Sequence, residues 1–340
     1  MTVSWAGNNP TVMGWNQRVL VKRDTFQNLL KVKSFSVGVT QTFEVPDLVT
    51  GASDRITWSK GTIDLRGNIE APLTKSLFET VVQAADAACT GSNDESILYV
   101  YSDIHGGPYP CMVNTMTITA REKEAINVSG ELIGRLGDAD IHSNTTGTDA
   151  VITVGGRGSA AGFTVGGSVS GGGVEITSSV NAAEQIVMFD RVSLGTGMNP
   201  IDCTQLLPTG ITLTIDNKLQ QNYVLGCGDG QGSLDAWSIS PGQRTISGTV
   251  TFMSGTAGTM GYVTNAGVTS QTSGNLLTIG DPADPLLEID GAAFMVLWGA
   301  KPPTLGVEKV VVELTFTLIA KEAGLYSLTG LSGSGFTAVS

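Results

Sequence analysis

Apolar and polar residues alternate one for one through several long stretches of the chain. A period of two marks strands with one buried and one wetted face. In Thr62–Ile69, Ile63, Leu65 and Ile69 alternate with Asp64, Arg66 and Asn68, and Glu70 continues the polar side. Met112, Asn114, Met116, Ile118 and Ala120 share one side of a second stretch, with Val113, Thr115, Thr117 and Thr119 on the other. After a charged connection at Arg121–Glu124, Ile126, Val128 and Leu132 oppose Asn127, Ser129 and Glu131. Farther on, Ile246, Val250 and Phe252 oppose Thr245, Ser247, Thr249 and Thr251. Near the end, Val310, Val312, Leu314, Phe316 and Leu318 alternate with Val311, Glu313, Thr315 and Thr317. These runs predict strands longer than the usual length of about five or six residues.

One segment follows a helical period instead. Leu73, Leu77, Val81, Ala84, Ala85 and Ala88 recur three and four residues apart. Pro72 suits a first helical turn and Gly91 lies just past the end, so the spacing predicts a helix over 72–88. Such a helix lays its apolar stripe on one face of the sheet. A short strand is predicted at Ile97–Tyr101, before a turn rich in Gly and Pro.

Much of this order occurs twice. Ser34–Glu70 and Gly210–Phe252 each carry an alternating strand, a long polar excursion with a lone Trp (Trp58, Trp237), and a second alternating strand. Ala293–Trp298 matches Ile97–Tyr101, and the closing strands match as well. The helix does not repeat, because residues 255–287 carry Gly, Thr and Asn without an apolar stripe. Internal repetition implies a unit that sits beside others of its kind. The divisions read from the sequence are an N-terminal arm (1–31), a first repeat (32–136), a Gly-rich insert (137–188), a second repeat (189–322) and a C-terminal arm (323–340). The arm carries Trp5, Trp15 and Phe26, aromatic residues that favour docking on a neighbour. Within the insert, Val151–Val154, Phe163–Val165 and Val174–Ile176 are strand-like fragments among glycines.

Composition narrows the class. A hydrophobic fraction of 41% supplies a real core, while 15% charged residues and 44 Gly suit an all-β chain with many turns. The net charge of −12, with no long basic run, repels phosphate and excludes a surface that grips nucleic acid. Cys89, Cys111, Cys203 and Cys227 are widely spaced without a CxxC pair, which argues against a disulfide framework or a zinc site. The N-terminus lacks a signal-peptide pattern, and no apolar run approaches the ~20 residues that cross a bilayer. These features lead us to expect synthesis and folding in a reducing cytoplasm, with no membrane partner.

Catalytic and cofactor signatures are sparse. The two histidines, His105 and His142, lie in turn contexts, and no GxSxG elbow is present. Asp138, Asp140 and His142 read as a surface loop. The stretch GGRGSAAG lacks the Gly-Lys-Ser/Thr ending of a phosphate cradle. The Cys227 loop lacks a basic neighbour, and Asp281 and Asp284 lack EF-hand spacing. The expectation is a non-enzyme without metal or cofactor.

The ordered set RITWSKGTIDLRGNIEAPL, the 72–88 helix, Met112–Glu131, WSISPGQRTISGTVTFM and Val310–Ile319 resembles the tail tube proteins of tailed bacteriophages over about half the chain. The resemblance implies a mainly β fold: two tandem tube domains, each a β-sandwich or rolled sheet with at most one flanking helix and a long inter-ring hairpin loop. The loops would be Thr42–Thr57 and Asn217–Ser238, anchored by Trp58 and Trp237. It also implies a virion protein, made in the bacterial host cytoplasm. By the same resemblance, a duplicated chain forms homo-trimeric rings of pseudo-sixfold symmetry, where single-domain members form hexamers. Rings stack into a tube that meets the tape measure, terminator, baseplate or tip and, in contractile tails, sheath proteins. Double-stranded DNA passes through it.

Six units of four strands make about 24 strands. At ~4.8 Å spacing and ~40° tilt they close a cylinder roughly 48 Å across, wide enough for a duplex after side chains take about 12 Å. Its lumen would be lined by Asp64, Asn68, Glu70, Asn127, Ser129, Glu131, Thr245, Ser247, Thr249, Thr251, Glu313, Thr315 and Thr317, with Arg66 neutralised by a carboxylate. Competing readings are a tail hub or terminator of the same fold, and a β-sandwich decoration protein that binds glycans. The low aromatic content, 6%, disfavours the last. A hydrolase using His105 and Asp103 is a distant third.

Overall fold

The structure, a computed structural model, describes residues 19–23, 26–44, 59–90, 96–102, 106–135, 186–195, 206–223, 236, 238–254, 269–270, 275–281, 284–291, 293–300, 304–305 and 310–320. The first half contributes β1 (Val19–Arg23), β2 (Phe26–Leu30), β3 (Ser34–Glu44), β4 (Ser59–Pro72), α1 (Lys75–Leu77), a π-helical turn (Phe78–Val82), α2 (Gln83–Thr90), β5 (Leu98–Ser102), β6 (Gly106–Arg121) and β7 (Asn127–Gly134). The second half opens on a 3-10 turn at Phe189–Arg191. It continues with β8 (Val192–Leu194), β9 (Leu206–Asp216), β10 (Gln220–Asn222), β11 (Ser238–Ser240), β12 (Thr245–Ser254) and β13 (Thr269–Ser270). The last strands are β14 (Asn275–Asp281), β15 (Asp284–Asp290), β16 (Phe294–Ala300), β17 (Thr304–Leu305) and β18 (Val310–Ala320). The protein is mainly β, its named strand pairs are antiparallel, and among the described residues one short helical stretch, residues 75–90, interrupts them.

One sheet runs through both halves. Its long path is β3-β4-β7-β6 followed by β9-β12-β18-β16, with β6 pairing β9 at the join. Number the four strands of each half by chain order. The first half then reads first, second, fourth, third, and so does the second half. Every neighbour is antiparallel, so corresponding strands also point the same way. In this arrangement β16 holds the sheet position of β6. The matching of Ala293–Trp298 to Ile97–Tyr101 is therefore corrected: local pattern cannot distinguish two short apolar strands, whereas pairing does.

A shared detail fixes the correspondence residue by residue. Gly67 in β4 faces Val37 on one side and Leu132 on the other, and Gly248 in β12 faces Leu213 and Phe316 in the same way. A side chain has no room at either position. A Cβ on Gly67 would lie 2.6 Å from the Ser36 carbonyl oxygen, and one on Gly248 would lie 2.1 Å from that of Thr212.

Among the described residues, the apolar sides of the strands form the larger of two buried clusters. Leu65, Ile69, Val128, Leu132, Leu213, Ile246, Val250, Phe252, Leu314, Phe316 and Trp298 are all buried in it. The helical stretch adds Leu73, Leu77, Phe78 and Val81, and the β14–β15 hairpin adds Leu277, Ile279, Leu287 and Ile289. Fully burying each large side chain contributes about 1.5–3 kcal/mol before the entropy of ordering it. The edge of the Trp298 indole meets the Phe316 ring, with centroids 5.9 Å apart and planes at 64°.

Three expectations change. The helix starts at Lys75, because Pro72 ends β4 opposite Asn127 and Thr74 caps the first turn by accepting from the Leu77 amide at 3.3 Å. Val19–Arg23 and Phe26–Leu30, assigned by sequence to an arm, form β1 and β2. They extend the sheet through β5, and Val19, Leu20 and Val21 are buried. Met112 does not share a side with Met116, because the β6–β7 register shifts between Val113 and Thr115. One extra residue reverses the alternation. Met112 thus joins a second apolar cluster with Ala88, Ile97, Ile133, Leu219 and Ile239. The Gly-rich insert up to residue 185, residues 1–18 and residues 321–340 lie outside the described residues.

Two buried polar groups tie the halves together. Asn217, at the end of β9, donates its side-chain amide to the carbonyls of Ala85 (2.7 Å) and Val113 (2.9 Å) and accepts from the Cys89 thiol at 3.3 Å. Arg244, before β12, pairs with Asp86 of α2 at 2.8 Å, both largely buried.

Candidate functional site: one polar face across eight strands

The side of the sheet away from the core is built from the alternate residues of each strand. Register places them in rows. One row runs Ser34, Glu70, Ser129, Thr117, Thr214, Ser247, Thr317, Leu297, crossing all eight strands. A second runs Ser36, Asn68, Glu131, Thr115, Asp216, Thr245. A third runs Asn127, Thr119, Thr212, Thr249, Thr315, Gly299. Thr251 pairs with Glu313 beyond these rows, and Asp64 with Thr40.

All thirteen residues that the sequence marked for a polar lining thus lie on one face of one sheet: Asp64, Asn68, Glu70, Asn127, Ser129, Glu131, Thr245, Ser247, Thr249, Thr251, Glu313, Thr315 and Thr317. Trp58 and Trp237 lie outside the described residues, as do His105, His142, Asp103, Asp138, Asp140, Cys203 and Cys227.

The same face holds residues absent from that selection. Thr115, Thr117 and Thr119 of β6 and Thr212, Thr214 and Asp216 of β9 occupy its centre, where the halves meet. Their alternation was visible in the sequence; their adjacency was not, because only the β6–β9 pairing brings the two strands side by side. The Thr117 and Thr214 hydroxyls share a hydrogen bond of 3.2 Å across that seam.

Side-chain hydrogen bonds order the carboxylates. Asn127 donates to Glu70 at 3.1 Å, and Asn114 donates to Glu131 at 3.1 Å. Arg66 meets the other Glu131 oxygen at 3.4 Å, so its charge is offset by a neighbouring strand. That pair is substantially exposed and contributes at most about 1 kcal/mol to stability. Among the described residues of this face, Asp64, Glu70, Glu131, Asp216 and Glu313 outnumber the cations Arg66 and Arg121.

The face can hydrate and repel. Hydroxyls and carboxylates in rows hold water, and the excess of negative charge withholds the counterion-releasing contacts by which proteins capture a phosphate backbone. A shallow recess among Ser34, Asn68, Glu70, Thr117, Ser129 and Glu131 is open to solvent. Among the described residues, no group of three or more His, Cys, Asp and Glu side chains is arranged to hold a metal ion. No described helix is long and apolar enough to cross a membrane. Compared with known proteins, the chain matches no family model and no curated sequence.

Proposed function

We propose that this chain is the tail tube protein of a tailed bacteriophage. Its rings stack into a tube, and the polar face lines the lumen through which the DNA genome passes. The observation that carries the reading is the sheet itself: two units of four strands, in one order and one direction, fused edge to edge with rows of hydroxyl and carboxylate residues from both units on one side.

The offset between the units supports closure. Within a unit, the row through the central glycine ends at Val113. The seam sets the corresponding residue of the next unit, Leu213, opposite Ile118 instead. Discounting the bulged Asn114, the second unit is displaced by about four residues for four strands. A barrel whose stagger equals its strand number has a strand tilt of about 36°. Six units then give about 24 strands and a backbone diameter of about 45 Å. Side chains leave a bore near 33 Å, and a duplex roughly 20 Å across clears it. Three chains supply six units. On this reading the ring has threefold symmetry and pseudo-sixfold architecture, and the polar rows become hydrated hoops. The virion is its location, DNA its transient passenger, and the other tail proteins its lasting neighbours.

Negative-stain microscopy of the purified protein tests this. Stacked rings or tubes with a stain-filled channel are the expected result. Single capped rings would favour a hub or terminator, and dispersed monomers that bind glycans would favour a decoration protein.

A further inference from the structure

We propose that successive chains join by pairing the β16–β17 edge of one copy with the β3 edge of the next, in the register already used inside the molecule between β6 and β9. The inference rests on the ring reading above and deepens it by naming the surfaces and the register.

The two ends of the eight-strand path are the two halves of an existing seam. Inside the chain, the third strand of the first unit, β6, pairs with the first strand of the second unit, β9. At the ends of the path stand the first strand of the first unit, β3, and the third strand of the second unit, β16. Among the described residues, β3 pairs only with β4, so its outer edge is not paired with a strand. A long open edge of this kind templates pairing with another chain.

Among the described residues, the other edge carries no partner strand beyond Leu297. On β6, β5 covers the N-terminal part, beginning with Leu98 opposite Cys111, and β9 takes the part from Thr115 to Arg121. On β16, β13 pairs with Val296 and Leu297, through Ser270 and Thr269. Val296 corresponds to Cys111, since each lies opposite the residue two beyond the one facing the central glycine, Leu318 and Gly134. The strand β13 therefore caps the place that β5 caps, and among the described residues it leaves Gly299, Ala300, Thr304 and Leu305 where β9 would dock.

The same correspondence gives the register. Gly299 faces Thr315 as Thr115 faces Glu131, and Thr304 faces Val311 as Thr119 faces Asn127. On the other edge, Thr40, Val39 and Ser36 stand where Asp216, Ile215 and Thr212 stand. The seam between copies then pairs Gly299 with Thr40, Ala300 with Val39, and Thr304 with Ser36. Exposure agrees at one telling position. Val39 points to the core side yet is 42% exposed, while its counterpart Ile215, sealed by β6, is 1% exposed. A second copy would cover it.

Cysteine cross-linking tests the seam. The Ser36→Cys/Thr304→Cys chain, with Cys203 and Cys227 replaced by Ser, is oxidised during assembly and run on non-reducing gels. The expected product is a covalent ladder ending at three chains, at least tenfold above either single variant. Rings seen by microscopy without cross-links would overturn the seam and leave the tube reading standing. Absence of both rings and cross-links would overturn the two together. Cross-linked three-chain rings that never stack would support the seam while removing the tube. Val39→Lys provides a check that does not depend on disulfide geometry. The exposed site accepts Lys in the single chain, so far-UV circular dichroism stays unchanged while assembly falls at least tenfold. Assembly equal to wild type would overturn the proposal.

Discussion

Tyr223 donates its phenolic hydrogen to the carboxylate of Asp64 at 2.6 Å, joining residues 159 positions apart. The contact anchors the hairpin that leaves β9 across the strand ends of the first unit, where Gln221 also donates to the Gly134 carbonyl at 2.8 Å. Leu219 and Ile239 at the hairpin base cover Met112 and Ile133. The excursion between the first and second strands of one unit thus clasps the unit before it. Asp64 sits at the margin of the polar face, engaged by this clasp.

Tyr223→Phe removes the hydroxyl and keeps the ring. Tyr223 is partly exposed, so the loss is modest, about 1 kcal/mol, read as a lower urea midpoint with unchanged slope. An unchanged midpoint would mean that the apolar base alone holds the hairpin.

Gly248→Ala brings a methyl within 2.1 Å of the Thr212 carbonyl oxygen and 2.5 Å of the Phe316 ring, both in the packed interior. Strands must shift, at a cost of about 1–3 kcal/mol. Gly38→Ala, with nothing within 4 Å of the added carbon, changes the unassembled chain by less than about 0.5 kcal/mol. Thermal unfolding of the two variants separates these outcomes, and equal stability would contradict the packing described.

Burial pushes the Cys111 thiol well above its ordinary range. The folded chain keeps this proton where the unfolded chain releases it, near pH 8.5. The contribution is therefore complete below that pH and is lost as pH rises, by about 1.4 kcal/mol per unit. Between pH 8.5 and 10 the wild type should lose about 2 kcal/mol more than Cys111→Val, measured by denaturant titration at both pH values. Parallel losses would show that the thiol is solvated.

Glu131→Lys with Glu313→Lys adds two cations to the polar face of every chain at positions that are solvent-accessible in the sheet. Rings should still form. DNA release from assembled particles should slow and become more sensitive to salt, because phosphate now finds partners. Unchanged release kinetics would remove both residues from the DNA path.

The alternating strands were legible because one side of each is apolar: Leu65 to Ile69 and Leu314 to Leu318 declare their faces without help from the rest of the chain. The thirteen polar residues followed from the same periodicity. What remained hidden depends on distant pairing. Nothing near Thr115 or Asp216 reveals that they lie side by side, and nothing near Asn114 reveals the bulge that sends Met112 to a different cluster. Val19–Arg23 and Phe26–Leu30 are not legible as strands in the sequence, because each is too short to show its period. The glycines at positions 67 and 248 were present in both copies, but their common role appears only once each is seen pressed between two neighbouring strands.

The most direct test of the polar lumen is a cryo-electron microscopy reconstruction of the assembled protein at side-chain resolution. The account predicts about 24 strands around a bore near 33 Å, with Thr117, Thr214 and Thr249 pointing toward the axis. A particle with these threonines on its outer surface, or with the two units on separate walls, would contradict it.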